Sequence, residues 1–87
     1  MAFTLRDNVS AVETDYGMVL LDEDSGDYWN LNPSGAVVLQ ALLDSGNLDA
    51  ATIELAQQFA VDHATALEDA RALLTALRSA RLVTEHD

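Results

Sequence analysis

Few residues in this sequence are placed for chemistry. Cysteine is absent, which removes thiol nucleophiles, thiolate metal ligands and disulfides together. The histidines are His63, near an expected helix start, and His86, close to the C-terminal end. No H-x-E, H-E-x-x-H or paired-His spacing joins them into a metal site, and His63 reads as a solvated first-turn residue. Ser10, Ser25, Ser34, Ser45 and Ser79 sit in no G-x-S-x-G context; Ser34 and Ser45 are simplest as helix-terminus residues. Asp22-Glu23-Asp24 opens like a Ca²⁺ loop but lacks the D-x-D-x-D-G spacing and the closing Glu. A hairpin tip charged for solubility accounts for it. Asp24-Ser25 and Asp44-Ser45 echo the Asp-Ser of phosphopantetheine carriers, but one pair tips a hairpin and the other ends a helix. The expectation is therefore a chain that is not an enzyme, with no cofactor and no metal.

Charge narrows the partners. The chain has 87 residues, with Lys+Arg 4 against Asp+Glu 15 and a formal net charge of −11. Every cation is an arginine: Arg6, Arg71, Arg78 and Arg81. Phosphate backbones and anionic lipid both require a cationic face, so no nucleic acid and no membrane is expected. A basic partner, or one held by apolar and backbone contacts, fits better. Hydrophobic residues make up 49%, enough for one small core, and the length suits a single domain over residues 1–87. No apolar run reaches the ~18 residues of a membrane span, and the N-terminus lacks the features of a signal peptide. A soluble cytoplasmic domain is expected.

The elements that position these residues divide the chain in two. Val9–Thr14 is a weak strand, Asp15-Tyr16-Gly17 a turn, and Met18–Leu21 an apolar strand closed by Asp22. Glu23–Gly26 is a polar loop before a third strand, Asp27–Leu31, giving a hairpin. If Asp22 pairs with Asp27, Leu20 faces Trp29 and Met18 faces Leu31 on the core side; Val19, Leu21, Tyr28 and Asn30 take the other. A slip of one residue would exchange the faces. Asn32 and Pro33 start a first helix with Ala36, Val37, Leu39, Leu42 and Leu43 as its stripe, and Gly46 ends it. Asp49 is expected to cap a second helix that buries Ile53, Leu55, Ala56 and Phe59. Asp62 caps a third, with Ala66, Leu67, Ala70, Leu73, Leu74, Leu77 and Leu82 buried. Glu85-His86-Asp87 reads as a frayed tail.

The fold class is thus α+β: a three-stranded antiparallel sheet (about residues 9–31) followed by three helices (about 33–82), in the outline of a winged helix-turn-helix. That outline usually means DNA. Here the second helix, Asp49–Ala60, carries no cation, and the wing, Leu21–Trp29, holds four acids and no base.

The order of several short strings carries a resemblance. Val19-Leu20-Leu21-Asp22, Ser25-Gly26, Tyr28-Trp29-Asn30-Leu31-Asn32-Pro33-Ser34-Gly35-Ala36, Leu42-Leu43-Asp44-Ser45-Gly46, Asp69-x-x-x-Leu73-Leu74-x-x-Leu77 and Leu82-Val83 follow one another. From about Leu5 to Val83 the chain resembles the PqqD-like family, peptide-recognition domains of pathways for ribosomally made, post-translationally modified peptides. It looks most like the stand-alone leader-binding subunit of lasso-peptide clusters. Ser45-Gly46 and Ala80-Arg81 depart from the family pattern, both at helix ends.

The resemblance implies a non-catalytic adaptor. Its third strand would be a sheet edge that takes the leader of a precursor peptide as an added strand, paired along Asp27, Tyr28, Trp29, Asn30 and Leu31. A groove between that strand and the third helix would be lined by Trp29, Leu31, Ala70, Leu73, Leu74 and Leu77. Ala70 would leave room for an aromatic anchor of the leader, and Asp69 or Asp27 would meet a basic leader residue. The bound leader would pass to a separate leader peptidase, a cysteine protease by resemblance. Plainer readings stand beside these roles: Leu74 and Leu77 as ordinary core, Trp29 as a core aromatic, Tyr28 as cover for the outer sheet face, Asp69 as a solubilising charge. An acidic carrier, or a structural or regulatory module for a basic protein, is the alternative function.

Overall fold

Alternating apolar residues on two neighbouring strands set the register of the sheet. In the computed structural model, which describes residues 2–86, the elements are β1 (Ala2–Leu5), β2 (Val9–Thr14), β3 (Gly17–Asp22), β4 (Tyr28–Leu31), α1 (Pro33–Ser45), α2 (Leu48–Phe59), α3 (His63–Ser79) and β5 (Val83–His86). Strands β2, β3 and β4 form one antiparallel sheet in that order, and β1 pairs with β5 in a second. Leu20 stands opposite Trp29 and Met18 opposite Leu31, as the patterning predicts. The Asp22 N–H donates to the Asp27 carbonyl at 2.9 Å, closing the ladder one residue before β4 begins. Leu20, Met18 and Leu31 are buried. Glycine is obligatory at position 17: its φ is +138°, and a Cβ there would fall 1.9 Å from the Leu31 carbonyl oxygen.

Capping chemistry sets the helices. The Asn32 side chain accepts from the Gly35 N–H with Pro33 in the first turn, and Gly46, in the left-handed region at φ 68°, returns its N–H to the Leu42 carbonyl. Asp62 caps α3 through the Thr65 N–H. The second cap differs from expectation. Asn47, not Asp49, accepts from the N–H groups of Asp49 and Ala50, because an equally good cap residue follows directly on the turn made by Gly46. The buried face of α2 is Ala51, Thr52 and Leu55, and the Thr52 hydroxyl donates to the Leu48 carbonyl. Ile53 and Phe59, expected inside, are 48% and 40% exposed.

The small sheet of β1 and β5 corrects the expected tail: Glu85 and His86 are strand residues opposite Phe3 and Ala2. Met1 and Asp87 lie outside the described residues. Phe3 is buried among Val38, Leu42, Ala70 and Leu74, while Arg78 lies over its ring and pairs with Glu85. A second cluster joins Met18, Leu20 and Leu31 to Leu39, Leu77 and Leu82. Helix α1 serves both, with Val38 and Leu42 in one cluster and Leu39 in the other. Among the described residues, no helix is long and apolar enough to cross a membrane.

Candidate functional site

Strand β4 has a partner on one side only: β3 occupies one edge, and no described strand occupies the other. Antiparallel ladders alternate bonded and non-bonded pairs. Since Asp22 and Asp27 are bonded, the pairs Leu20–Trp29 and Met18–Leu31 carry the ladder. The backbone N–H and C=O groups of Tyr28 and Asn30 therefore point away from the sheet. Such an edge can accept another strand.

Beside that edge lies a groove of about 430 Å³. Its strand wall is Asn30 and Leu31, and its helix wall is Asp69, Ala72 and Leu73 of α3. Its floor is built from the start of α1 and from α2, with Gly35, Val38 and Leu55. Small residues keep it open. A Cβ on Gly35 would lie 3.1 Å from Asn32 Oδ1, 3.5 Å from Leu31 Cβ and 3.7 Å from Leu73 Cδ2, so any larger side chain would close the gap between strand and helix. The polar rim includes Asn32 and Ser34, whose hydroxyl donates to Asn32 Oδ1 at 2.9 Å.

The residues singled out in the sequence separate into three sets. Asn30, Leu31, Asp69 and Leu73 line the groove together. Asp27, Tyr28 and Trp29 are exposed along the strand. Tyr28 lies on the outer sheet face, 67% exposed, and Trp29 shares the inner face with Leu31 yet remains 41% exposed. Ala70, Leu74 and Leu77 turn inward into the two clusters, and Ala70 has no exposed surface. They support the helix rather than line the open groove. Ala72, Gly35, Val38 and Leu55 complete the lining and were not singled out. Helical spacing holds the signal for Ala72: positions 69, 72 and 73 share one face at i, i+3 and i+4, while 66, 70, 74 and 77 share another.

The far end of the hairpin is anchored by a cation. Arg6 Nη2 donates to Asp22 Oδ2 at 2.7 Å, Nη1 to Asp24 Oδ2 at 2.9 Å and Nε to the Arg81 carbonyl at 2.6 Å. The other Asp22 oxygen accepts from the N–H groups of Asp24 and Ser25. Burial alone would raise the Asp22 pKa, but the Arg6 guanidinium and these backbone donors outweigh it and hold the carboxyl below its usual range. Asp22 and Asp24 thus tie the loop preceding β4 to the N-terminal turn and the end of α3; they are not merely a solvated tip.

Residues 17–83 match the family PqqD, described as coenzyme PQQ synthesis protein D. Two solved structures share the fold over nearly the whole chain. One is lasso peptide synthetase B1 complexed with the leader peptide, with a TM-score of 0.87 and 38% identity over 97% of this chain and 99% of that one. The other is TbiB1 in complex with the TbiA(beta) leader peptide, with a TM-score of 0.81 and 26% identity over 97% and 98%. No curated protein matches the sequence significantly.

Proposed function

The chain belongs to the PqqD family, and from that premise we propose that it binds the leader of a ribosomally made precursor peptide as a fourth strand on β4. The observation that carries this reading is the unpartnered β4 edge beside an open groove, in a fold shared with two chains solved with leader peptides. The leader backbone pairs with the outward N–H and C=O groups of Tyr28 and Asn30. Its alternate side chains enter the groove over Leu31, Ala72 and Leu73, and Asp69 meets a cation at the rim.

The domain, residues 1–87, performs no chemistry on the peptide. It acts in the cytoplasm as a recognition subunit of lasso-peptide maturation and presents the leader to a separate leader peptidase of the cysteine-protease class. Tethering raises the local concentration of the cleavage site at the enzyme. Release must follow, which suits a dissociation constant in the high-nanomolar to micromolar range, about −8 to −10 kcal/mol.

Titration with a synthetic leader peptide, followed by Trp29 fluorescence, tests the reading. A saturable change at micromolar peptide or below, little altered by salt, is expected, because backbone pairing and apolar contacts are weakly screened. Absence of a signal together with absence of heat in calorimetry would overturn it. Binding that collapses with salt would favour the acidic docking module instead, a reading supported by the net charge of −11.

A further inference from the structure

A second and larger depression, about 800 Å³, lies between the β2–β3 turn and the outer sides of α1 and α2. It shares no lining residue with the β4 groove, and α1 presents different faces to the two: Gly35 and Val38 to the groove, Val37, Ala41 and Asp44 to the cleft. Its floor is aliphatic. Met18, Ala36, Val37 and Ala41 form it, and Ile53, 48% exposed, stands over it from α2. An isoleucine so exposed beside an open aliphatic floor is surface that an apolar partner side chain would cover.

The rim gives that partner its charge. Glu13, Asp15, Asp44 and Glu54 surround the floor, and no arginine lines the cleft. Asp44 and Glu54 are each held by a neutral amide, from Gln40 at 3.0 Å and Gln58 at 2.9 Å, which orients them without neutralising them. Arg6 and Arg78 are engaged with carboxylates elsewhere in the chain.

We propose that this cleft docks a cationic amphipathic segment, arginine or lysine flanking an aliphatic side chain, carried by the peptidase that receives the leader. The inference rests on the adaptor reading above and names the surface through which delivery occurs. Phosphate-bearing partners are repelled by the rim. A second copy of the chain would bring a net charge of −11 and only four cations, so it lacks the complement. Because the two depressions are separate, leader and peptidase occupy the protein together, as handover requires.

The test uses the full chain carrying D44R and E54R together, both exposed positions, with I53S as a second variant. The probes are the synthetic leader peptide and the purified peptidase that cleaves the precursor. Trp29 fluorescence should report leader affinity within about twofold of wild type, and a thermal melt should show an intact fold. Calorimetry with the peptidase should show association weakened at least about tenfold by the charge reversals, and wild-type association should fall as salt rises from about 50 to about 500 mM. Leader binding by wild type with no peptidase association, or with association unchanged in D44R/E54R and in I53S, overturns the cleft assignment. Failure of wild type to bind the leader overturns the adaptor reading itself.

Discussion

The three-stranded sheet has two outer edges, and they differ in what an added strand would meet. Strand β2 forms one edge and β4 the other. Beside β4 lies a groove kept open by Gly35 and Ala72. On β2, Glu13 stands opposite Met18 and so shares the inner face of the sheet. A strand added there would have to desolvate that carboxylate, the kind of inward charge that blunts an edge. Backbone hydrogen bonding is available at both edges, so it supplies affinity without choosing between them. Choice comes from what lies beside the backbone: a charge on one side, a vacancy between helix and strand on the other.

This contrast can be broken most severely from beneath. Ala70 and Ala72 lie two positions apart on α3, one in the core and one on the groove wall. Ala70→Arg forces a charge into a filled site and should destabilise the fold by about 4 kcal/mol or more; urea denaturation would show a lost or strongly shifted transition. Leader binding should be lost together with the fold, since Ala70 is buried in the core. Gly17→Ala comes next. Its Cβ collides with the Leu31 carbonyl at the base of β4, and about 3 kcal/mol of stability should be lost, with leader binding lost alongside.

Ala72→Arg sharpens the comparison, because it fills the groove from an exposed position. Leader affinity should drop about thirtyfold, ~2 kcal/mol, while the melt stays within about 0.5 kcal/mol of wild type. Asn30→Pro removes an outward N–H and leaves the ladder to β3 alone. A proline is tolerated on an edge, so leader affinity should fall about tenfold with only a small loss of stability. At the opposite extreme, Glu23→Arg on the hairpin tip should leave leader affinity unchanged in the same titration, since Glu23 touches neither the groove nor the Arg6 anchor.

Acid acts on the hairpin from its far end. The Asp22 pKa is lower in the fold than in the unfolded chain, and the Asp62 pKa is lowered likewise by the Thr65 backbone N–H and hydroxyl. A carboxylate of this sign stabilises the fold above its unfolded value and loses that contribution as pH falls through the folded one. Stability measured by urea should thus hold down to about pH 4 and decline below it. Asp22→Asn should flatten part of that decline.

What the sequence made legible was what local chemistry specifies. The hairpin register followed from alternation between Met18 and Leu31, and the starts of α1 and α3 from Asn32 and Asp62. Where two cap residues competed, Asn47 against Asp49, the earlier one prevailed. The groove was legible in part. Asp69 and Leu73 were marked by type and spacing, but a leucine stripe says which face of a helix is apolar, not where one packed face ends and an open one begins. Ala72 is small and exposed, and nothing in its own identity separates it from a solvent position. The β1–β5 pair was illegible because its strands are four residues each and each finds its partner at the other end of the chain.

That last pairing has a kinetic consequence. Thr4 and His86, hydrogen bonded at 2.9 Å, are 82 positions apart in sequence, so the small sheet closes a loop that spans the three-stranded sheet and all three helices. Closing such a loop in a flexible chain costs about 4 kcal/mol of entropy, whereas the helices and the hairpin need only short ones. The hairpin and helices should therefore assemble first, with β1 and β5 joining once the core has brought their ends together. In native-state hydrogen exchange the amides of β1 and β5 should open first, even though Phe3 is buried, while those of Leu20 and Leu39 persist until the whole molecule unfolds.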